Sequence, residues 1–452
     1  MKLKLLLLIF GTFICLNSNA QFTYQGYIAV ESISECNVHI ADIDSDGDED
    51  LLTSCWGHGV SWIQNNGEGS FSPPLQISGF GLFNHSLTAD FDGDNDLDIV
   101  SVESISSDKI VYFENLGEGI FGSEQLLNNS VAGPRMLAVG DIDGDLDLDV
   151  LSISSGDDKL AYYLNDGEAN FGSQQVISTS GDWPNSIDLK DLDGDNDFDI
   201  ILSSSNDNKV AWYKNDGSAN FGSEQLINST SNGTNSAIGS DIDNDGDVDI
   251  VFAAYTDNKI AWHENDGNGN FGSEQIISNI ESEVNGISLV DLNDDSLHDV
   301  VSWGYHTQKV NFYENSMGAI FGPQTQLCTT TDSLVDVQFM DIDGDNLDDA
   351  VVSWSNKIAW FKNSPQSATN VKENLRVNSF NIWPNPAQSL INYHSKTSSS
   401  IKIYDFSGRL IQVNNLSSNG TIDISNLEPG IYLVENKVGF ESKKIITLTV
   451  SD

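Results

Sequence analysis

Asp191-Leu192-Asp193-Gly194-Asp195-Asn196-Asp197-Phe198-Asp199 is the stretch on which the reading of this chain turns. Five aspartates alternate with other residues over nine positions. An apolar segment, Ile200-Ile201-Leu202, follows, then a polar turn and Lys209-Val210-Ala211-Trp212-Tyr213. An Asn-Asp-Gly turn at Asn215 and a Phe-Gly pair at Phe221 come next, and Glu224-Gln225-Leu226-Ile227 ends the unit. With the segment before Asp191, that makes four short runs rich in β-branched and aromatic residues. Turn residues separate them, which is the pattern of strands and not of helices.

The unit recurs. Loops of the same kind begin at Asp42, Asp90, Asp141, Asp191, Asp241, Asp291 and Asp341, at intervals of 48, 51, 50, 50, 50 and 50 residues. The Lys-initiated strand returns at Lys259 and Lys357, the Asn-Asp-Gly turn at Asn165 and Asn265, and Phe-Gly at Phe121, Phe171, Phe271 and Phe321. A lone four-stranded sheet cannot bury both faces, whereas blades stacked around an axis can. The repeat therefore predicts an all-β chain folded as a seven-bladed propeller over residues 21–363. The seventh unit stops after its third strand, Lys357–Phe361, without a fourth. Residues Phe22 to Glu31 read as that missing strand, with Phe22 standing where the Phe of Phe-Gly would be. Closure of the ring by the N-terminal strand accounts for both ends. The aromatics Trp62, Tyr112, Tyr162, Trp212, Trp262, Phe312 and Trp360 keep one place in the third strand. They read as core between blades, with a sugar-stacking platform as the alternative.

The loops carry the chemistry. Ca²⁺ is a hard cation that takes about 6–8 oxygens, and ligands at positions 1, 3 and 5 of a loop wrap around one ion. The candidate ligands are Asp42, Asp44, Asp46, Asp48 and Asp50 in the first loop, then Asp90, Asp92, Asp94, Asp96 and Asp98 in the second. The third offers Asp141, Asp143, Asp145, Asp147 and Asp149, and the fourth Asp191, Asp193, Asp195, Asp197 and Asp199. The fifth offers Asp241, Asp243, Asp245, Asp247 and Asp249. The sixth is poorer, with Asp291, Asn293, Asp295 and Asp299, and the seventh has Asp341, Asp343, Asp345 and Asp349. Small residues at positions 4 and 6 permit the tight curl, so Leu146 at position 6 of the third loop implies strain. Up to seven structural Ca²⁺ ions are expected. Seven repeated sites of bound carboxylates do not suit acid–base catalysis.

Composition supports this use of the acids. The chain carries 68 Asp and Glu against 20 Lys and Arg, a net charge of −48, yet 39% of it is hydrophobic. That charge argues against nucleic acid and anionic membrane as partners. Residues 1–20 read as a secretory signal peptide, with Lys2 and Lys4 before the apolar run Leu5–Leu16 and cleavage after Ala20. Ile14 is too bulky for lipoprotein processing at Cys15, and no further run is long enough for a membrane span. Cys36 and Cys55 flank the first loop almost symmetrically, so a bridge across that hairpin is possible, with Cys328 left over.

Asp loops followed by Asn-Asp-Gly and Phe-Gly resemble the FG-GAP and VCBS repeats of the integrin α-subunit propeller and of many secreted bacterial propellers. The resemblance implies seven blades with Ca²⁺ at the hairpin joining the first two strands of each. Beyond residues 364–376, a linker, composition changes: the Asp loops vanish and Lys appears. Pro384-Asn385-Pro386, Pro429-Gly430-Ile431-Tyr432 and Lys443-Lys444 in residues 377–452 resemble the type A C-terminal sorting domain of the type IX secretion system. That resemblance implies export across the outer membrane, the secretion machinery as a partner, and release or attachment at the cell surface. The segment itself reads as a small Ig-like antiparallel sandwich.

Ligand candidates come from geometry. The residues six before the first Asp, Asn84, Arg135, Asn185, Asn235 and Asn285, are expected at the channel mouth away from the Asp loops. The asparagine amides either bind sugar hydroxyls or cap strand starts. Trp303, Tyr305 and His306 break the repeat in a loop at the same end. Two functions follow: a surface adhesin binding a glycan or protein, or a lyase-type enzyme acting on polysaccharide with Tyr305, His306 and Arg135.

Overall fold

The computed structural model describes residues 22–364, apart from 31–34, 105–106, 281–282, 331 and 356, together with strands and a few turns between 381 and 450. The signal segment, residues 365–376 of the linker and the Pro384-Asn385-Pro386 motif lie outside the described residues. The chain divides into two compact units, residues 1–365 and 366–452. The described residues contain no helix, and so no helix long and apolar enough to cross a membrane.

Seven four-stranded antiparallel sheets make the first unit. In the fourth blade the strands are Pro184–Lys190, Asp199–Ser204, Lys209–Tyr213 and Gln225–Asn228, paired in chain order. The second strand of every blade is buried along its whole length, covered on both faces by neighbouring blades. This is why those strands read as near-continuous apolar runs and not as alternation.

The seventh blade holds Leu334–Met340, Asp349–Trp354 and Lys357–Asn363, and Phe22–Val30 is its fourth strand. Phe22 pairs with Asn363. That is the same pairing as the bridges Asn65–Phe71, Asn115–Phe121 and Asn265–Phe271 in other blades. Phe22 thus takes the Phe-Gly place, and its buried ring packs among Leu334, Trp354 and Phe361.

The third-strand aromatics are core. Trp62, Tyr112, Trp212 and Trp262 are buried, and the first and third press on the next blade. A Cβ on Gly119 would lie 2.4 Å from the Trp62 ring, and one on Gly269 2.6 Å from Trp212. Glycine there makes room for the neighbour's indole. Cys36 and Cys55 are joined by a disulfide, and Cys328 is buried.

In the second unit, strands Asn381–Trp383, Leu390–His394 and Asn419–Asp423 form one antiparallel sheet. Leu410–Leu416, Ser399–Asp405, Gly430–Val438 and Ser442–Val450 form another.

Ring closure is testable at one side chain. Phe22→Ala should cost about 3–5 kcal/mol, as for a buried aromatic, and deletion of residues 22–30 should aggregate the protein or lower its melting temperature sharply. A truncated chain melting like the parent would mean that the N-terminal strand does not hold the ring.

Candidate functional site

Each Asp loop is wound by its own first residue. Positions 4 and 6 have positive φ in all seven loops, from Ser45 and Gly47 to Gly344 and Asn346. Position-1 Oδ2 accepts the position-6 N–H in each, as Asp191 does from Asn196 at 2.9 Å and Asp291 from Ser296 at 2.7 Å. The position-5 carboxylate accepts the position-7 N–H, as Asp195 does from Asp197 at 3.1 Å.

Position 9 has a different task. Asp50, Asp98, Asp149, Asp199, Asp249, Asp299 and Asp349 are 0% exposed. Oδ1 of each accepts the N–H of the turn asparagine in its own blade, as Asp199 does from Asn215 at 2.8 Å. In the first six blades Oδ2 accepts the position-2 N–H, as Asp199 does from Leu192 at 3.1 Å. The turn asparagine then donates through Nδ2 to the position-2 carbonyl of the preceding blade's loop: Asn215 to Ile142 at 2.8 Å, Asn315 to Ile242 at 2.7 Å. Asn65 closes the circle on Ile342 at 3.3 Å. Burial pushes the position-9 carboxyls up, to about 6 for Asp50 and Asp98 and about 7 for Asp149, Asp199, Asp249, Asp299 and Asp349.

Carboxylates of the loops also converge, position 9 among them in three loops. Oxygens of Asp42, Asp44 and Asp46, and of Asp90, Asp92 and Asp94, lie within 4.8 Å of one another. So do those of Asp141, Asp143 and Asp149, of Asp191, Asp193 and Asp199, and of Asp241, Asp243 and Asp249. Oδ1 of Asp44, Asp143, Asp193, Asp243 and Asp343 is buried with no hydrogen-bond partner. A buried anionic oxygen left bare costs several kcal/mol, and a hard divalent cation among these carboxylates would satisfy it. The residues fit such an ion. At position 7, Asp48, Asp147, Asp197 and Asp247 lie against the turn glycines Gly67, Gly167, Gly217 and Gly267. Their carboxylates are outside the five converging sets.

One position grades the charge. Immediately before the turn asparagine, Lys214 contacts Asp193 and, at 3.0 Å, Asp195. Lys362 does the same with Asp343 and, at 2.8 Å, Asp345. Glu114, Glu264 and Glu314 stand at that place in the second, fifth and sixth blades. In the sixth loop Asn293 Oδ1 accepts the Asp295 N–H at 3.0 Å, so it is not bare.

At the other end of the channel lies a cavity of about 870 Å³. Asn84, Arg135, Asn185, Asn235, Asn285, Trp303, Tyr305 and His306 all line it. The inner strands of blades two to seven carry a register shift, between Phe83 and His85 or Pro184 and Ser186 for example, and the extra residue is the one six before the first Asp. A bulge re-aims its residue, which is why these side chains gather at the mouth. Blade one pairs Cys36 with Cys55 and Asn37 with Ser54, without a bulge.

Their commitments differ. Asn84 accepts the Trp56 indole N–H at 2.7 Å and donates to Ser104 Oγ and Pro134 O, both at 2.9 Å, so it holds the loops. Asn185 donates weakly to Asn235 at 3.4 Å, and Asn285 makes no side-chain hydrogen bond to the described residues. Trp303 is buried, donates to Val335 O at 3.2 Å, and would clash with any Cβ at Gly286. It is mostly core. Tyr305 donates to Glu35 and stands edge-on to exposed His306. Sequence reasoning did not find Trp183, His39, His85, Asp188 or Asp336 on the wall. Burial lowers His39 to about 4 and His85 to about 3, and both rings accept backbone N–H groups.

FG-GAP-like repeats match residues 42–101, 90–152, 141–202, 191–252 and 241–302, more than half of the chain. The chain belongs to the FG-GAP-like repeat family. In this FG-GAP-like protein, residues 381–448 match the secretion system C-terminal sorting domain, so the chain is exported through type IX secretion to the cell surface or beyond. Among curated proteins no sequence matches it. Of solved structures, one of an Agrocybe aegerita lectin described as recognising non-reducing terminal N-acetylglucosamine is similar, with 19% identity and a TM-score of 0.51. The match covers 66% of this chain and 81% of the lectin. BBS1N, solved in complex with ARL6DN, is similar at 9% identity and a TM-score of 0.55, over 77% of this chain and 98% of that one. At these identities the likeness is one of fold.

Within the FG-GAP-like loops Leu146 is the misfit, a branched residue at φ 76° and 88% exposed. Leu146→Asn should stabilise the protein by about 1 kcal/mol, since a left-handed conformation costs a non-glycine residue about 1–2 kcal/mol and no buried contact is lost. Chemical denaturation checks it. The position-9 carboxyls predict a second effect. Because burial raises them, their contribution to folding is full below the ordinary carboxylate value and is lost as pH rises through about 7. With metal chelated, the protein should melt higher at pH 5.5 than at pH 8, and an opposite slope would show that other groups dominate.

Proposed function

We propose that this protein is an exported propeller, stiffened by Ca²⁺ in its Asp loops, that binds carbohydrate at the channel mouth opposite them without catalysis. The observation that carries the binding reading is the arc of Asn185, Asn235 and Asn285 on blades four to six. It offers amides that the fold leaves largely uncommitted beside the exposed Trp183. Neutral amides with an aromatic face suit hydroxyl-rich, apolar-faced sugars. The lectin of similar fold is described as binding a sugar, which agrees with the reading without carrying it. The lyase reading is weaker, because the Tyr305 hydroxyl that would act as base is engaged with Glu35. A glycan array should give binding that Asn185→Ala with Asn235→Ala reduces about tenfold or more, and no unsaturated product should be released from bound polysaccharide. Turnover of the bound glycan would overturn the non-catalytic reading.

Calcium is supported by the bare position-3 oxygens. Binding to the folded state alone raises stability with free metal, by about 2.7 kcal/mol per site at a hundredfold excess over Kd. Melts in millimolar Ca²⁺ should therefore lie well above melts in EGTA. Charge count sets affinity, so loop six should fill last and Asn293→Asp should tighten it. Loops four and seven, which carry Lys214 and Lys362, should fill after loops two and five. Crystals grown at limiting calcium would reveal the order, and equal occupancy would mean that charge does not set it.

A further inference from the structure

Arg135 is the single arginine of the propeller, in a chain with 68 acidic residues and 20 basic ones. An arginine in such a chain is expected to be ion-paired. Among the described residues its guanidinium has no carboxylate within ion-pair distance and no hydrogen bond. Its contact is the face of Trp183, with Cζ 5.6 Å from the ring centroid. The side chain is half-buried, and burial lowers its pKa with no acid opposing the effect. A guanidinium carries five N–H donors in a planar fork, and here all of them are unspent.

The acids of the same cavity are spent elsewhere. Glu35 accepts the Tyr305 hydroxyl. Asp188 accepts the N–H groups of Leu189 and Gly239 at 2.9 and 3.0 Å. Asp336 accepts those of Val38 and Val337 at 3.0 and 2.8 Å. Each has partners that keep it off the arginine, so the cation stays available to something entering the mouth.

Trp183 is the second observation. It has φ 60° at a place where blades three and five have Gly133 at 57° and Gly233 at 71°. A left-handed tryptophan is a strained choice. Its N–H is pinned by Asp158 Oδ1 at 3.0 Å, just as Asp108 pins Gly133 at 3.2 Å and Asn208 pins Gly233 at 2.7 Å. The fold would accept glycine there. Instead the chain holds an indole 43% exposed under the only guanidinium of the ring.

We infer that Arg135, backed by the indole of Trp183, binds the oxyanion of an acidic sugar, a uronate carboxylate or a sulfate ester, while Asn185, Asn235 and Asn285 take its hydroxyls. This rests on the carbohydrate reading above and narrows it. Arginine matches a planar oxyanion with two parallel hydrogen bonds, and stacking on an aromatic fixes the fork's plane. The rest of the protein is strongly negative and repels anions at long range, so recognition depends on this one short-range contact.

Calorimetric titration tests it with oligogalacturonate against its carboxyl-reduced form, and with a sulfated oligosaccharide against its desulfated form. At least one acidic member should bind about 10–100-fold tighter than its neutral partner, the usual worth of a charge-assisted hydrogen-bonded contact. Arg135→Gln should abolish that difference without lowering the melting temperature, and Arg135→Lys should recover it only in part. Trp183→Gly should bind the acidic sugar more weakly and yet melt higher, because strain is released. A merely structural tryptophan would not give that pairing. Equal affinity for acidic and neutral members, with the parent binding both, would overturn this inference and leave the carbohydrate reading intact. No binding to any member, or to a neutral glycan array, by the folded protein would overturn both.

Discussion

The ring depends on one buried carboxylate per blade. The last aspartate of each loop sits at the foot of the second strand, fully shielded from water, and accepts backbone N–H groups from the loop and from the asparagine turn. That asparagine reaches across to the carbonyl of the preceding loop. The relay repeats around the circle, so every blade is registered to its neighbour by buried polar atoms. Hydrophobic contact alone would press blades together without fixing their height. The buried polar chain fixes it, because a slip would leave an anion and an amide bare in a dry place.

This division of labour also sorts the acids. Positions 1 and 5 shape the loop, position 9 locks it to the sheet, and in five of the seven loops position 3 projects an oxygen that nothing in the protein satisfies. A motif that reads as five equivalent ligands is therefore several kinds of carboxylate. The lysines of the fourth and seventh blades touch the outer oxygen of position 3 and leave the inner one bare. They alter the charge around the cation place without filling it.

Most of the fold was legible in the sequence because the repeat is strict where packing is strict. Blade number, strand order and the pairing of Phe22 all followed from spacing, and Cys36 and Cys55 face each other as their symmetry about the first loop suggested. The mouth was legible in part. Counting six residues back from each loop found Asn84, Arg135 and their kin, but the count gives no sign of the bulge that turns them inward. Nor does it tell Asn84, tied to Trp56, from Asn285, which is not. Trp303 looked like a surface aromatic because it breaks the repeat. Its partner is a compensating break, Gly286, on the neighbouring strand, and the pair is visible only in three dimensions. Trp183 was missed because a left-handed backbone leaves no mark in composition.

The pairing of Phe22 with Asn363 joins the first strand of the propeller to the last. Contacts so distant along the chain are the slowest to form, since loop closure must be met before they reward it. Until residues 357–363 have been made, the N-terminal strand has no partner and the blades form an open arc with two unpaired edges. The seal is thus also a timer. Because the sorting segment lies after the final strand, a chain that can present it has already made every residue needed to close the ring.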